Sequence, residues 1–417
     1  MKKRILALSL AAAMVIGALA SCTKTAEPAS SEAVEARDIT LTLWGSEGDN
    51  EFLKEISAEW AKTYADENDD VKSVTVDVQI KGEDVAGPDA LNDIEAAADV
   101  FGVGNDQLSG LSASNAIYKM PAEVVDQIKA IVGESALAST LCDGTYYGFP
   151  YAPNTAEIMF YNKELVTDEE AADLNKLLEK EFEGGVTNLA VDIDNGWNAM
   201  TWFASAGAEL FTGGDKTVNT LNKPEATEML KWLKEQVDAK KIVDVPDNDS
   251  VAPMLGDKQV AAMFFGSWKK KDIADALGDN YGVRELPTLN GEHLTCFGGS
   301  KLLVLNATTK EPEAALALAQ YIISEDAQLK RFKSKSQQTP TAVNLANNDE
   351  VKADPAVASE VAQGAYTVTN SPLNNDSKYW DLCAAVMGDI KNGKITADEI
   401  QGKLDEMVAS MNANLGL

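Results

Sequence analysis

Histidine is almost missing from this chain. His293 is the only one in 417 residues. It sits in a polar Gly-Glu-His turn, so any Ser-His-Asp or Cys-His arrangement would hang on that one residue. Cysteine is scarce too: Cys22, Cys142, Cys296 and Cys383 are all there are. None forms a Cys-x-x-Cys pair, which removes support for a thiolate metal site or dithiol redox chemistry. With Cys22 set aside at most one disulfide could form, and buried free thiols are the expectation. No metal and no other cofactor is expected. There is no Gly-x-x-x-x-Gly-Lys-Ser/Thr loop, which excludes a P-loop ATPase. Positive charge is in short supply, 36 Lys and Arg against 66 Asp and Glu, for a net charge of −30. Nucleic-acid phosphates would be repelled by such a surface, so no nucleic-acid partner is expected.

What is present describes an ordinary globular protein, 45% hydrophobic and 24% charged. The chain is long for one core, and two lobes are the natural prior. At the N-terminus Lys2-Lys3-Arg4 precedes an apolar stretch, Ile5 to Leu19, that is short for a bilayer span and right for a signal h-region. It ends in Leu19-Ala20-Ser21-Cys22, which resembles a bacterial lipoprotein box. The expectation is a signal peptide over residues 1–22, lipid attached at Cys22, and a flexible tether over 23–37 rich in Ala, Ser, Glu and Thr. That implies a cell-surface protein on the outer face of the cytoplasmic membrane, or on the periplasmic side in a host with two membranes.

Ile39 to Trp44 alternates apolar and polar, as a half-buried strand does. Asn50 can cap a helix carrying Leu53, Ile56, Trp60 and Tyr64. A strand at Val74 to Ile80, a helix through Leu91 to Ala98 and a strand at Asp99 to Val103 follow, which argues an α/β sheet with helices on both faces. Further on, a helix is expected over Asp168 to Phe182, strands over Thr187 to Ile193 and Val260 to Phe265, and helices opening at Trp197 and Pro224. Thr396 and Glu399 form a capping box before the last helix. Asp192 to Gly196 faintly resembles a calcium loop, but its glycine is one position early and the distal Glu is missing, so it reads as a plain loop.

The stretch Gly144 to Leu165 holds two aromatic-rich runs around Pro150 and Pro153, read as strand, irregular turn and strand, with pairing interrupted at the prolines. Tyr147-Gly148-Phe149-Pro150 followed by Phe160-Tyr161-Asn162-Lys163 resembles the segment that passes between lobes in bacterial solute-binding proteins of the maltose-binding type. Asp99-Val100 and Gly266-Ser267-Trp268 also resemble counterparts there. The resemblance covers roughly Ile39 to Leu417 and implies a two-lobed fold, each lobe an open sheet flanked by helices. The lobes would be 38–153 with 300–342, and 154–299 with 343–417, joined by crossovers near Pro150 to Thr155, Gly298 to Leu303 and Thr339 to Val343.

Tryptophans stand at the ends of expected elements: Trp44, Trp197, Trp268 and Trp380, the last beside Tyr379. Ligands of open α/β sheets bind beyond the carboxyl ends of strands, and a sugar ring lies flat on an aromatic plane. The resemblance implies sugar-binding roles for Trp197, Trp268, Trp380 and Tyr379, with Asp106, Asn154 and Glu47 taking sugar hydroxyls. Trp60, on an apolar helix face, reads as core. Two departures bear on specificity: Val103 stands where the maltose binder has Trp, and Gln107 where it has Arg. Taken together, these features imply a lipid-anchored binding component of an ATP-driven importer. It would be a monomer that takes an oligosaccharide such as maltodextrin and meets the importer's permease subunits, and it would not be an enzyme. A binder of peptide, polyamine or another small polar solute is the alternative, and a secreted glycosidase a more distant one.

Overall fold

The computed structural model describes residues 36–154 and 157–417. Cys22, the signal peptide and nearly all of the expected tether lie outside them.

Two sheets organise the chain. In the first, Arg37–Gly45 lies parallel between Val71–Ile80 and Val100–Gly104. Cys296–Leu305 then adds antiparallel to Val100–Gly104, and its other edge takes Phe149–Asn154 and Thr367–Thr369. The second sheet runs Tyr281–Arg284, Ile158–Asn162, Val260–Phe265, Thr187–Val191 and Ile242–Asp244. Its strands Ile158–Asn162 and Val260–Phe265 are buried throughout because helices cover both faces. Each sheet therefore lies between two hydrophobic clusters, and the fold is two-lobed as the sequence implied.

Local rules account for most elements. Asn50–Glu67 buries Leu53, Ile56 and Trp60 on one stripe against the first sheet. The Thr396 capping box is made: Thr396 N donates to Glu399 Oε2 at 2.7 Å. Cys142, Cys296 and Cys383 are free and buried.

Some expectations need correction. The helix expected through Leu91 to Ala98 lies earlier, at Glu83–Asn92, with Pro88 inside it. The expected helix over 168–182 is two short ones, Asp168–Ala171 and Leu174–Glu179, because Asp173 caps the second by accepting from Asn175 N and Lys176 N. Ile80, the last residue of Val71–Ile80, is exposed. Pro150 and Pro153 do not interrupt pairing: both lie within Phe149–Asn154, an edge strand whose register shifts between Lys301 and Leu302 of its partner. The preceding Gly148 has φ 74°, and a Cβ there would meet Leu303 O at 2.9 Å, so that turn requires glycine.

Past Thr339 to Val343 the chain still touches the first lobe. Gln328 Oε1 accepts from Thr341 N at 2.7 Å and Ala342 N at 3.0 Å, and the turn Val343–Asn347 packs on the first-lobe helix Ala122–Ala138. Pro355–Gln363 packs on Tyr281–Arg284 of the second lobe, and Thr339 donates to Glu360 within it.

Candidate functional site

Three loops at the carboxyl ends of parallel strands, two from the first lobe and one from the second, line a cavity of about 700 Å³. Val71–Ile80 is followed by Lys81, Gly82 and then Glu83 and Asp84 at the start of a helix. Val100–Gly104 is followed by the turn Asn105–Gln107, which carries Asp106 and Gln107. In the second lobe Thr187–Val191 leads to Asn195, whose side chain accepts from Trp197 N at 2.9 Å and so starts the helix Gly196–Ser205 with Trp197 in its first turn. Lys301 from Cys296–Leu305, Asn375 and Asp376, and Trp380 from Tyr379–Lys391 complete the lining used below.

Trp197 and Trp380 lie nearly parallel, 15° between planes and 6.3 Å between ring centroids. Phe297 supports both, 5.3 and 5.9 Å from their centroids. Asn375 ties this pair to the first lobe. Its Oδ1 accepts from Trp380 Nε1 at 2.6 Å, and its Nδ2 donates to Asp106 O at 2.8 Å and to Asp106 Oδ2 at 3.3 Å. Ser109 Oγ donates to Asp376 Oδ2 at 2.7 Å beside it.

The charges are lopsided: Glu83, Asp84, Asp106 and Asp376 face one ammonium, Lys301. Burial raises the Asp106 carboxyl above the usual range, although its own backbone N–H and Asn375 oppose this. Glu83 is held below the usual range. Burial would raise it, but Lys301 at 3.7 Å and the Tyr151 hydroxyl outweigh that. Aromatic planes beside fixed carboxylates suit a ligand with apolar faces and many hydroxyl donors.

The expected site residues divide. Trp197, Trp380 and Asp106 come together. Tyr379 is a correction: it is fully buried, and its hydroxyl donates to Gly196 O at 2.7 Å, so it belongs to the core beneath Trp380. Trp268 is 48% exposed and packs on Phe265, away from the residues that line the cavity. Glu47 is exposed in the turn Glu47–Asp49 and also outside that lining. The side chain of Asn154 lies outside the described residues. Glu83, Asp84, Lys301, Asn375 and Asp376 were not picked out. The available signal was an acidic pair directly after a strand and a glycine, and a polar Asn-Asn-Asp run just before Tyr379-Trp380.

The faint calcium loop carries its own counter-ion. Asp192, Asp194 and Asp244 lie within reach of one another, and Lys391 Nζ is 2.8 Å from both Asp194 and Asp244. His293 stacks on Tyr366 at 4.0 Å, outside the cavity lining.

Comparison with known proteins bears on the whole arrangement. A solved structure described as with acarbose is 30% identical, with a TM-score of 0.81 over 90% of this chain and 99% of its own. The maltodextrin-binding protein MdxE of Bacillus subtilis is 26% identical over 405 residues, 92% of each chain. The galactooligosaccharide-binding protein of the same organism is 22% identical over 380 residues, 85% of each. The family model of the bacterial extracellular solute-binding proteins matches residues 59–359. With most of the chain matched and both lobes accounted for, this protein belongs to the bacterial extracellular solute-binding family.

Proposed function

We propose that this protein captures an oligosaccharide of the maltodextrin class in the cavity between its lobes and hands it to the permease subunits of an ATP-driven importer, without turning it over. The observation that carries the reading is the parallel pair Trp197 and Trp380 lining the same cavity as Asp106 and Glu83. Stacking uses the apolar faces of glucose rings, while carboxylates accept hydroxyl hydrogens more strongly than neutral groups do. Relatives that bind maltodextrin and acarbose support the same ligand class. Trp268, Glu47 and Asn154 would contact longer ligands or a more closed form, since domain closure brings rim residues inward.

Calorimetric titration of the purified protein with maltotetraose, a galactooligosaccharide and spermidine tests the ligand class, with small-angle scattering on the same samples. The expected outcome is saturable one-to-one binding of maltotetraose and a smaller radius of gyration when bound. Tighter binding of spermidine would reverse the ligand class, and shortened products after incubation would reverse the non-enzymatic reading.

Anchoring through Cys22 belongs to the same proposal and is tested separately. Metabolic labelling with a fatty-acid analogue should mark the wild-type protein and leave Cys22→Ala unmarked; equal labelling would sink the anchor.

A further inference from the structure

Glu83 stands where the cavity meets the interior of the first lobe, with its side chain only 14% exposed. Its Oε1 accepts from the Tyr151 hydroxyl. Tyr151 is itself buried, and the Arg331 guanidinium lies over its ring, 4.4 Å from the centroid. Arg331 Nη1 donates to Tyr151 O at 2.8 Å. On its other side Arg331 forms a bidentate pair with buried Asp49, Nε to Oδ1 at 3.0 Å, and Asp49 also accepts from the Ser336 hydroxyl.

This network reaches the chain where it passes between lobes. Tyr151 lies in Phe149–Asn154 and Lys301 in Cys296–Leu305, antiparallel partners of which the first leads into the second lobe and the other returns from it. Ser336 begins the segment that leads to the third passage. Room for the central contact depends on Gly102. A Cβ there would stand 3.1 Å from Tyr151 Oη and 3.3 Å from Glu83 Cγ, closer than most such contacts tolerate. Buried charges persist only when their partners are in place, so the carboxylate at the cavity wall is not free to swing.

We propose that Tyr151 is a positioning residue that fixes Glu83 for the ligand and, together with Lys301 and Arg331, couples occupancy of the cavity to the crossover strands. The proposal rests on the sugar-binding reading of this cavity. A ligand hydroxyl on Glu83 draws on the charge that Tyr151 and Lys301 share, so binding is felt on the two strands that bend when the lobes move.

A double-mutant cycle tests it, with maltotetraose titrations, scattering and thermal melts on wild type, Tyr151→Phe, Glu83→Gln and the double variant. Tyr151→Phe keeps the ring over Arg331 but removes a hydrogen bond to a buried carboxylate, so it should lower the melt while leaving the protein folded. It should weaken binding about tenfold, as loss of a hydrogen bond to a charged group does, and reduce the compaction at saturation. The double variant should bind no more weakly than Glu83→Gln alone. Independent, multiplying losses would overturn the proposal, as would a Tyr151→Phe protein that binds and compacts like wild type. If Tyr151→Phe does not fold, Gly102→Ala crowds the same pair from the neighbouring strand and should reproduce the loss of affinity; unchanged affinity there would also overturn it. Absence of maltotetraose binding in the wild type itself would instead sink the reading of the cavity, and the proposal with it.

Discussion

Replacing either cavity indole should cost the protein most of its grip on an oligosaccharide. Trp197→Ala and Trp380→Ala are each expected to weaken maltotetraose binding by roughly tenfold or more. Truncating an aromatic stacking platform costs about 1–3 kcal/mol by analogy with base stacking, and about 1.4 kcal/mol is one decade. Trp380→Ala should be the worse of the two, because it also removes the N–H that holds Asn375 toward Asp106. Trp60, 4% exposed and embedded in the first lobe's core, supplies the contrast. Trp60→Ala should lower stability by about 3–5 kcal/mol, as truncation of a buried aromatic does, while affinity in the surviving folded fraction holds. Titration beside denaturant melts separates the two behaviours, and stability losses with intact affinity at Trp197 and Trp380 would remove them from the site.

The second large effect concerns pH. Glu157 opens the second lobe just before Ile158–Asn162 and is 2% exposed. One oxygen takes the Thr201 hydroxyl and the other has no partner among the described residues. Burial pushes its carboxyl from 4.5 up to about 8; Asp192 adds to the rise and Thr201 opposes it. The folded protein therefore keeps a proton that the unfolded chain releases. This stabilisation is complete below pH 4.5, shrinks by about 1.4 kcal/mol per pH unit above it, and is gone once pH passes the folded value near 8. Glu157→Gln removes the titration, so the variant should gain on wild type as pH rises, by a few kcal/mol at pH 8, and match it near pH 4.5. Denaturant midpoints for both proteins at several pH values provide the check, and parallel curves would show that Glu157 does not hold that proton.

Much of the fold was legible because burial leaves a periodic trace. Leu53, Ile56 and Trp60 mark a helix face, and Val260–Phe265 reads as a buried strand from its unbroken apolar run. The site was legible only where large aromatics stand at element ends, as Trp197 and Trp380 do. Tyr379 misled because neighbours on a helix point about 100° apart, and sequence alone does not say which of the two meets the cavity. Glu83 and Asp84 were hidden because Gly87-Pro88 looks like a break, whereas a helix runs through it. Lys301 lies inside a strand, and Asn375 works through bonds to Asp106 and Trp380 that depend on how two distant segments meet. Such tertiary pairings leave no periodicity to read.

The position of Cys296–Leu305 in the first sheet sets a timetable for folding. That strand covers the edge of Val100–Gly104, yet every strand of the second lobe's sheet separates the two in sequence. As the chain lengthens from its N-terminus, the first lobe has an open edge until the second lobe's strands have all been made. The second lobe's sheet, by contrast, takes all its strands from Ile158 to Arg284, although the helices Tyr379–Lys391 and Ile400–Asn414 that cover one face come last. Pairings of such long sequence separation are slow to form and leave strand edges exposed to other chains in the interval. The sheet that begins first is thus the one whose strands are completed last, and a nascent or truncated chain ending before Cys296 leaves the edge of Val100–Gly104 open to other chains.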